Sequence, residues 1–115
     1  MHRPERIAET LREEIAQIVG YELEDPRLTS VTVTEVRVAE DLRDASVYVT
    51  VEGSEEEHLK ALRALEHAAP YVRKQLGFAL NLRHTPALHF VRDTVEEKAT
   101  RVDTLLQGMK ERDKG

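Results

Sequence analysis

Arg73 and Lys74, then Arg83 and His84, stand in a stretch from Pro70 to Arg92 that contains no Asp or Glu. Arg73, Lys74, Arg83 and Arg92 give it a charge of +4, which leaves −9 for the rest of a chain whose net charge is −5. Cations gathered without carboxylates suit the neutralisation of phosphate, although an Arg-Lys pair on a helix is as readily a solvated face. Other chemistry finds little support. His58 and His67 lie nine apart on one helix, hence on opposite faces, and neither they nor His84 and His89 make up a ligand set with metal-site spacing. Glu55–Glu57 and Glu96–Glu97 fall in first helical turns, where the dipole explains carboxylates more simply than acid–base catalysis does. The isolated Gly77 and Gly108 build no phosphate loop. No nucleophile, base and orienting group can be assembled, so the residues predict a non-enzyme with no catalytic, metal or cofactor site.

The frame that must position these cations is small. A chain of 115 residues predicts one domain, over residues 1–110, with residues 111–115 ("ERDKG") as a flexible tail. There is no cysteine, so neither disulfides nor thiolate metal sites hold the fold. "MHRPERIAET" carries charge where a secretory signal needs an apolar run, and no stretch approaches a membrane span. A cytoplasmic, soluble protein is expected.

Pro4 suits a first helical turn, and Ile7, Leu11, Ile15 and Ile18 form one apolar stripe up to about Gly20. Asp25-Pro26 turns the chain. "VTVTEVRV" alternates as a half-buried strand, but Val31 and Val33 share one parity while Val36 and Val38 share the other, which predicts either a bulge near Thr34–Glu35 or a strand partly covered on both faces. "SVYVTV" returns with Val47, Val49 and Val51 on one face and Ser46, Tyr48 and Thr50 on the other, closing an antiparallel hairpin. Ser54 and Glu57 form a capping box that starts a helix at about Glu55. Pro70 should end or kink it near Ala69, since running straight through a proline costs ~3 kcal/mol. Two helical legs then lead to a third strand in "HTPALHFVRD", and Asp93 caps a last helix carrying Val95, Ala99, Val102, Leu105, Leu106 and Met109.

Two helical legs between the second and third strands reverse the chain twice. That predicts an α+β domain with a three-stranded mixed sheet, the first strand central, helices packed on one face, and a kinked helix pair near Pro70. The other face, with Thr32, Arg37, Ser46, Tyr48, Thr50 and His89, should meet water.

Five segments in this order carry a resemblance: "RIAETLREEIAQIV", "DPRL", "VTVTEVRVAEDLRDASVYVTV", "YVRKQLGFALNLRHTPALHFVRD" and "RVDTLL". Together they resemble the ribosome-binding factor A family, bacterial proteins with a KH-like fold of the second type, over nearly the whole chain. The resemblance implies an assembly factor that binds the small ribosomal subunit or its precursor, and its ribosomal RNA, during late maturation. It further implies a part in rRNA processing and growth in the cold, with ribosomal proteins and other assembly factors as neighbours, no membrane, and a monomeric state. The family's interhelical kink is an Ala-x-Gly pattern, replaced here by Ala68, Ala69 and Pro70. Proline has no N–H to donate to RNA from position 70, and the GxxG loop of ordinary KH domains is absent. Any RNA contact must therefore rely more on side chains.

Arg73 and Lys74 rank first, in the expected first turn after the kink, where free N–H groups and the helix dipole would also favour phosphate. Arg83 and His84 follow, with Asn81. Arg3 and Arg6 rank lower, because the arginines of the first helix, Arg12 included, alternate with glutamates that can pair with them. Tyr48, Tyr71 and Phe78 are too few for a base-stacking platform, which favours a structured, phosphate-rich site over free single strands. The alternatives are a KH-like module that binds protein without touching RNA, and a small regulatory dimer paired through a strand edge.

Overall fold

The computed structural model describes residues 4–93. The last helix expected after Asp93, the domain bound at 110, the tail 111–115 and Arg3 lie outside the described residues. Within them the order is α1 (Pro4–Gln17), a π-helical turn (Ile18–Glu22), a 3-10 turn (Pro26–Leu28), β1 (Val31–Val38), β2 (Asp44–Val51), α2 (Glu55–Ala79) and β3 (Ala87–Arg92). No helix among the described residues is long and apolar enough to cross a membrane.

Apolar periodicity builds the two layers. Leu11, Ile15 and Ile18 of the first stripe are buried, and Ile7 packs against the same core. Wide winding at Ile18–Glu22, closed by Leu23 N–H on the Ile18 carbonyl at 3.1 Å, lets adjacent Ile18 and Val19 both turn inward. Asp25 caps the 3-10 turn, its carboxylate accepting from the Arg27 backbone N–H at 2.9 Å and from the Arg27 guanidinium. In β1 the expected bulge occurs: the register shifts between Val33 and Glu35, so that Val33 pairs with Val49 and Val36 with Val47, and Val33 and Val36 are both buried. The Ser54 hydroxyl accepts from the Glu57 N–H at 3.2 Å and starts α2 as the capping pattern required.

Three expectations need correction. The first concerns the helix at Pro70, which is one continuous element of 25 residues with the proline inside it, not a pair. Ala61, Ala64, Leu65, Val72 and Leu76 line up on both sides of the proline, and all are at most 2% exposed. Fully burying a single leucine or valine stabilises by about 1.5–3 kcal/mol, so this stripe outweighs a proline penalty of ~3 kcal/mol. Pro70 itself is exposed, as is Glu66, the residue whose carbonyl the proline deprives of its helical donor.

The second correction follows from the first. A single crossover helix reverses the chain once, so β3 returns parallel to β2 and beside it, while the hairpin places β1 antiparallel on β2's other side. The order is β1-β2-β3, with the second strand central rather than the first. Ala45 pairs with Leu88, and Val47 with Phe90. Both helices pack on the face that carries Val47 and Val49, both 0% exposed. The third correction is Tyr48, expected on the wet face but only 5% exposed. Its place on the central strand, with Glu35 and Val91 as cross-strand neighbours, covers it from both sides.

Candidate nucleic-acid interface

The C-terminal end of α2 and the segment that returns to β3 build the site. Asn81 takes a left-handed conformation (φ 53°), which asparagine tolerates better than most residues. Around it the Asn81 N–H donates to the Phe78 carbonyl at 3.3 Å and the Leu82 N–H to the Gly77 carbonyl at 2.9 Å. This pair of bonds is a Schellman ending, which satisfies carbonyls the helix leaves open and turns the chain back on itself.

The returning segment then lies against the flank of α2. Arg73 clamps it: Nε and a terminal guanidinium nitrogen both donate to the Thr85 carbonyl, at 3.0 and 2.7 Å. Gly77 permits the approach, since a Cβ there would meet Thr85 Oγ1 at 2.8 Å. Pro86 is buried, and the Ala87 N–H bonds to the Arg43 carbonyl at 2.9 Å to open β3.

Between helix and returning segment runs an open groove of about 680 Å³. Five of the sequence-predicted residues line it together: Arg73, Lys74, Asn81, Arg83 and His84. Pro70 lines it as well. Its lining holds no carboxylate, and neither Lys74 nor Arg83 forms an ion pair among the described residues. Arg6 stands apart, in a neighbouring apolar cleft between α1 and the returning segment, which shares Leu82 and His84 with the groove. Ala68 and Ala69 are half-buried and do not line the groove.

The roles differ from those the sequence suggests. Arg73 and Lys74 lie mid-helix, so no free N–H groups or positive dipole end stand beside them, and the phosphate chemistry of the groove rests on side chains. Arg73 has a structural duty as well as a charge, and so has Asn81. Arg92 leaves the basic set: it binds the Glu55 carboxylate at 2.7 and 2.8 Å, and that hydrogen bond holds Glu55 below the usual carboxylate range. Arg12 pairs with Glu9 on α1, as the alternation of charges implied, and the bond lowers the Glu9 pKa. Phe78, which the sequence offers only as one of too few aromatics for a stacking platform, lines the groove. It is 71% exposed, whereas Leu76 two residues earlier is fully buried. Its place off the buried stripe is readable from helical spacing. No group of three His, Cys, Asp or Glu able to hold a metal ion occurs among the described residues.

A helix–hairpin–helix–strand domain with a mixed sheet, and a cationic groove along its long helix, has the build of a KH-like domain. The family model of ribosome-binding factor A matches residues 3–106, and the chain belongs to that family. A ribosome-binding factor A from Desulfitobacterium hafniense is 45% identical over 117 residues, covering 99% of this chain and 94% of its own. The crystal structure of ribosome-binding factor A from Thermus thermophilus superposes with a TM-score of 0.71 at 33% identity, covering 79% of this chain and 97% of that one. A homology model of the Thermus thermophilus factor, fitted into a cryo-electron-microscopy map of a 30S complex, superposes at 0.65 with 34% identity, covering 76% and 92%.

Proposed function

We propose that this protein binds the small ribosomal subunit or its precursor during late assembly, with the groove beside α2 laid on ribosomal RNA. The observation that carries this reading is the groove itself. Three cations, a histidine and an asparagine meet there without a carboxylate, in a chain whose net charge is −5. Such segregation turns the acidic remainder away from a polyanion and presents one contiguous positive strip to it. Membership of a ribosome-binding factor family, and the relative fitted into a 30S complex, support the small subunit as the partner. The action is binding in the cytoplasm as a monomer, without catalysis, and it supports rRNA processing and growth in the cold.

Filter binding with small-subunit particles, their naked 16S RNA and an unrelated RNA of equal length tests the proposal. Retention of the particles and the 16S RNA above the unrelated RNA is the expected result. Retention of the particles alone would transfer the contact to protein.

A further inference from the structure

Phe78 is a large apolar side chain left 71% exposed in a groove lined by three cations and no carboxylate. Burial of a phenylalanine stabilises by about 1.5–3 kcal/mol, so leaving one in water forgoes that gain. Lys74 precedes it by one helical turn, about 6 Å along the axis, and Tyr71, 45% exposed, lies on the same stripe one turn earlier. Arg83 and His84 face it across the groove.

An apolar protein surface laid on this ring would also cover the neighbouring cations and strip their water without offering them partners. A nucleotide matches both features: its base offers a π-face to the ring, and its phosphate offers charge to Lys74 and Arg83. A paired helix hides its base faces in the stack. We infer that Phe78 is a stacking platform for a single unpaired base, so that the groove selects a bulged or looped-out nucleotide within structured RNA rather than a continuous duplex. This inference rests on the RNA reading of the groove and names the RNA feature it takes.

The test uses two hairpin RNAs of equal length, one fully paired and one with a single-nucleotide bulge of 2-aminopurine. Affinities and fluorescence are measured for the parent, Phe78→Ala, Phe78→Trp and Lys74→Glu. Base–aromatic stacking of about 1–3 kcal/mol corresponds to a 5- to 150-fold preference for the bulged hairpin. The parent should show that preference and quench the 2-aminopurine. Phe78→Ala should bring the ratio near one while still binding the paired hairpin, and Phe78→Trp should keep it. Lys74→Glu should weaken both hairpins together. An unchanged ratio in Phe78→Ala overturns the inference and leaves the RNA reading standing. Loss of particle binding in Phe78→Ala with both hairpins unaffected also overturns it, in favour of a protein contact. If neither hairpin nor 16S RNA binds the parent, the RNA reading fails first.

Discussion

Arg73 has two jobs in this structure, and replacing it should separate them. Its two hydrogen bonds to the Thr85 carbonyl, at 3.0 and 2.7 Å, join the middle of α2 to the segment that carries Arg83 and His84. Hydrogen bonds from a charged donor contribute about 1.5–3 kcal/mol, but Arg73 is exposed and the freed carbonyl regains water, so Arg73→Ala should cost about 1–2 kcal/mol in total. For a domain of this size that lowers Tm by roughly 4–10 °C. Lys74→Ala, which removes a charge next door without a partner, should stay within about 0.5 kcal/mol of the parent. Urea unfolding of both variants at constant m measures the difference. Arg73→Lys adds the functional half. It keeps the charge and loses the fork, so it should bind small subunits more weakly than the parent because the wall bearing Arg83 loosens. Equal stability of Arg73→Ala and Lys74→Ala, or parental binding by Arg73→Lys, would refute the clamp.

Three further outcomes follow from the same geometry. Lys74→Gln with Arg83→Gln should flatten the slope of log affinity against log salt by about 1.4–1.8, the loss of two phosphate contacts, as measured by titration with 16S RNA between 50 and 200 mM salt, a range of roughly fourfold; an unchanged slope places the contacts elsewhere. Pro70→Ala should raise stability by about 1–2 kcal/mol in thermal unfolding, since alanine restores a helical N–H in a helix that is already continuous, and should leave binding within about threefold; a loss of binding above tenfold would give the proline a role of its own. Asp25 is held at about 2, below its ordinary 3.8, first by the Arg27 guanidinium and then by the Arg27 backbone N–H. A depressed carboxylate contributes stability that is present above its unfolded pKa and is lost as pH falls through its folded one. The stability difference between the parent and Asp25→Asn should therefore shrink as pH falls from about 4 to about 2, and a difference constant over that range in acid-series unfolding would contradict it.

How much of this is legible in the sequence depends on the range of the interaction. The parity switch between Val33 and Val36 announces the bulge, and Ser54 with Glu57 announces the start of α2, because both signals are local. Pro70 misleads for the converse reason. Local propensity argues for a break there, and only the burial of Leu65, Val72 and Leu76 against the sheet shows what overrides it. That one difference exchanges the central strand, since the number of helical reversals fixes whether β3 runs with β2 or against it. In the site, the absence of carboxylates from Pro70 to Arg92 singles out the right neighbourhood. It does not separate Lys74 and Arg83, which line the groove unpaired, from Arg92, which is engaged by a glutamate 37 residues away. Nor does it show that Arg73 and Asn81 shape the groove as well as line it, because the Thr85 carbonyl and the left-handed turn exist only once α2 has ended.

A photo-crosslinking residue placed at position 74, compared with the same residue at position 32 on the exposed, opposite side of β1, asks most directly whether the groove is the RNA contact. Each protein is bound to purified small-subunit particles, irradiated, and its adducts are separated into RNA and protein. Crosslinks to ribosomal RNA are expected from position 74, abolished by Arg83→Glu, with few or none from position 32. RNA adducts of equal yield from both positions, or adducts to ribosomal protein alone from position 74, would contradict it.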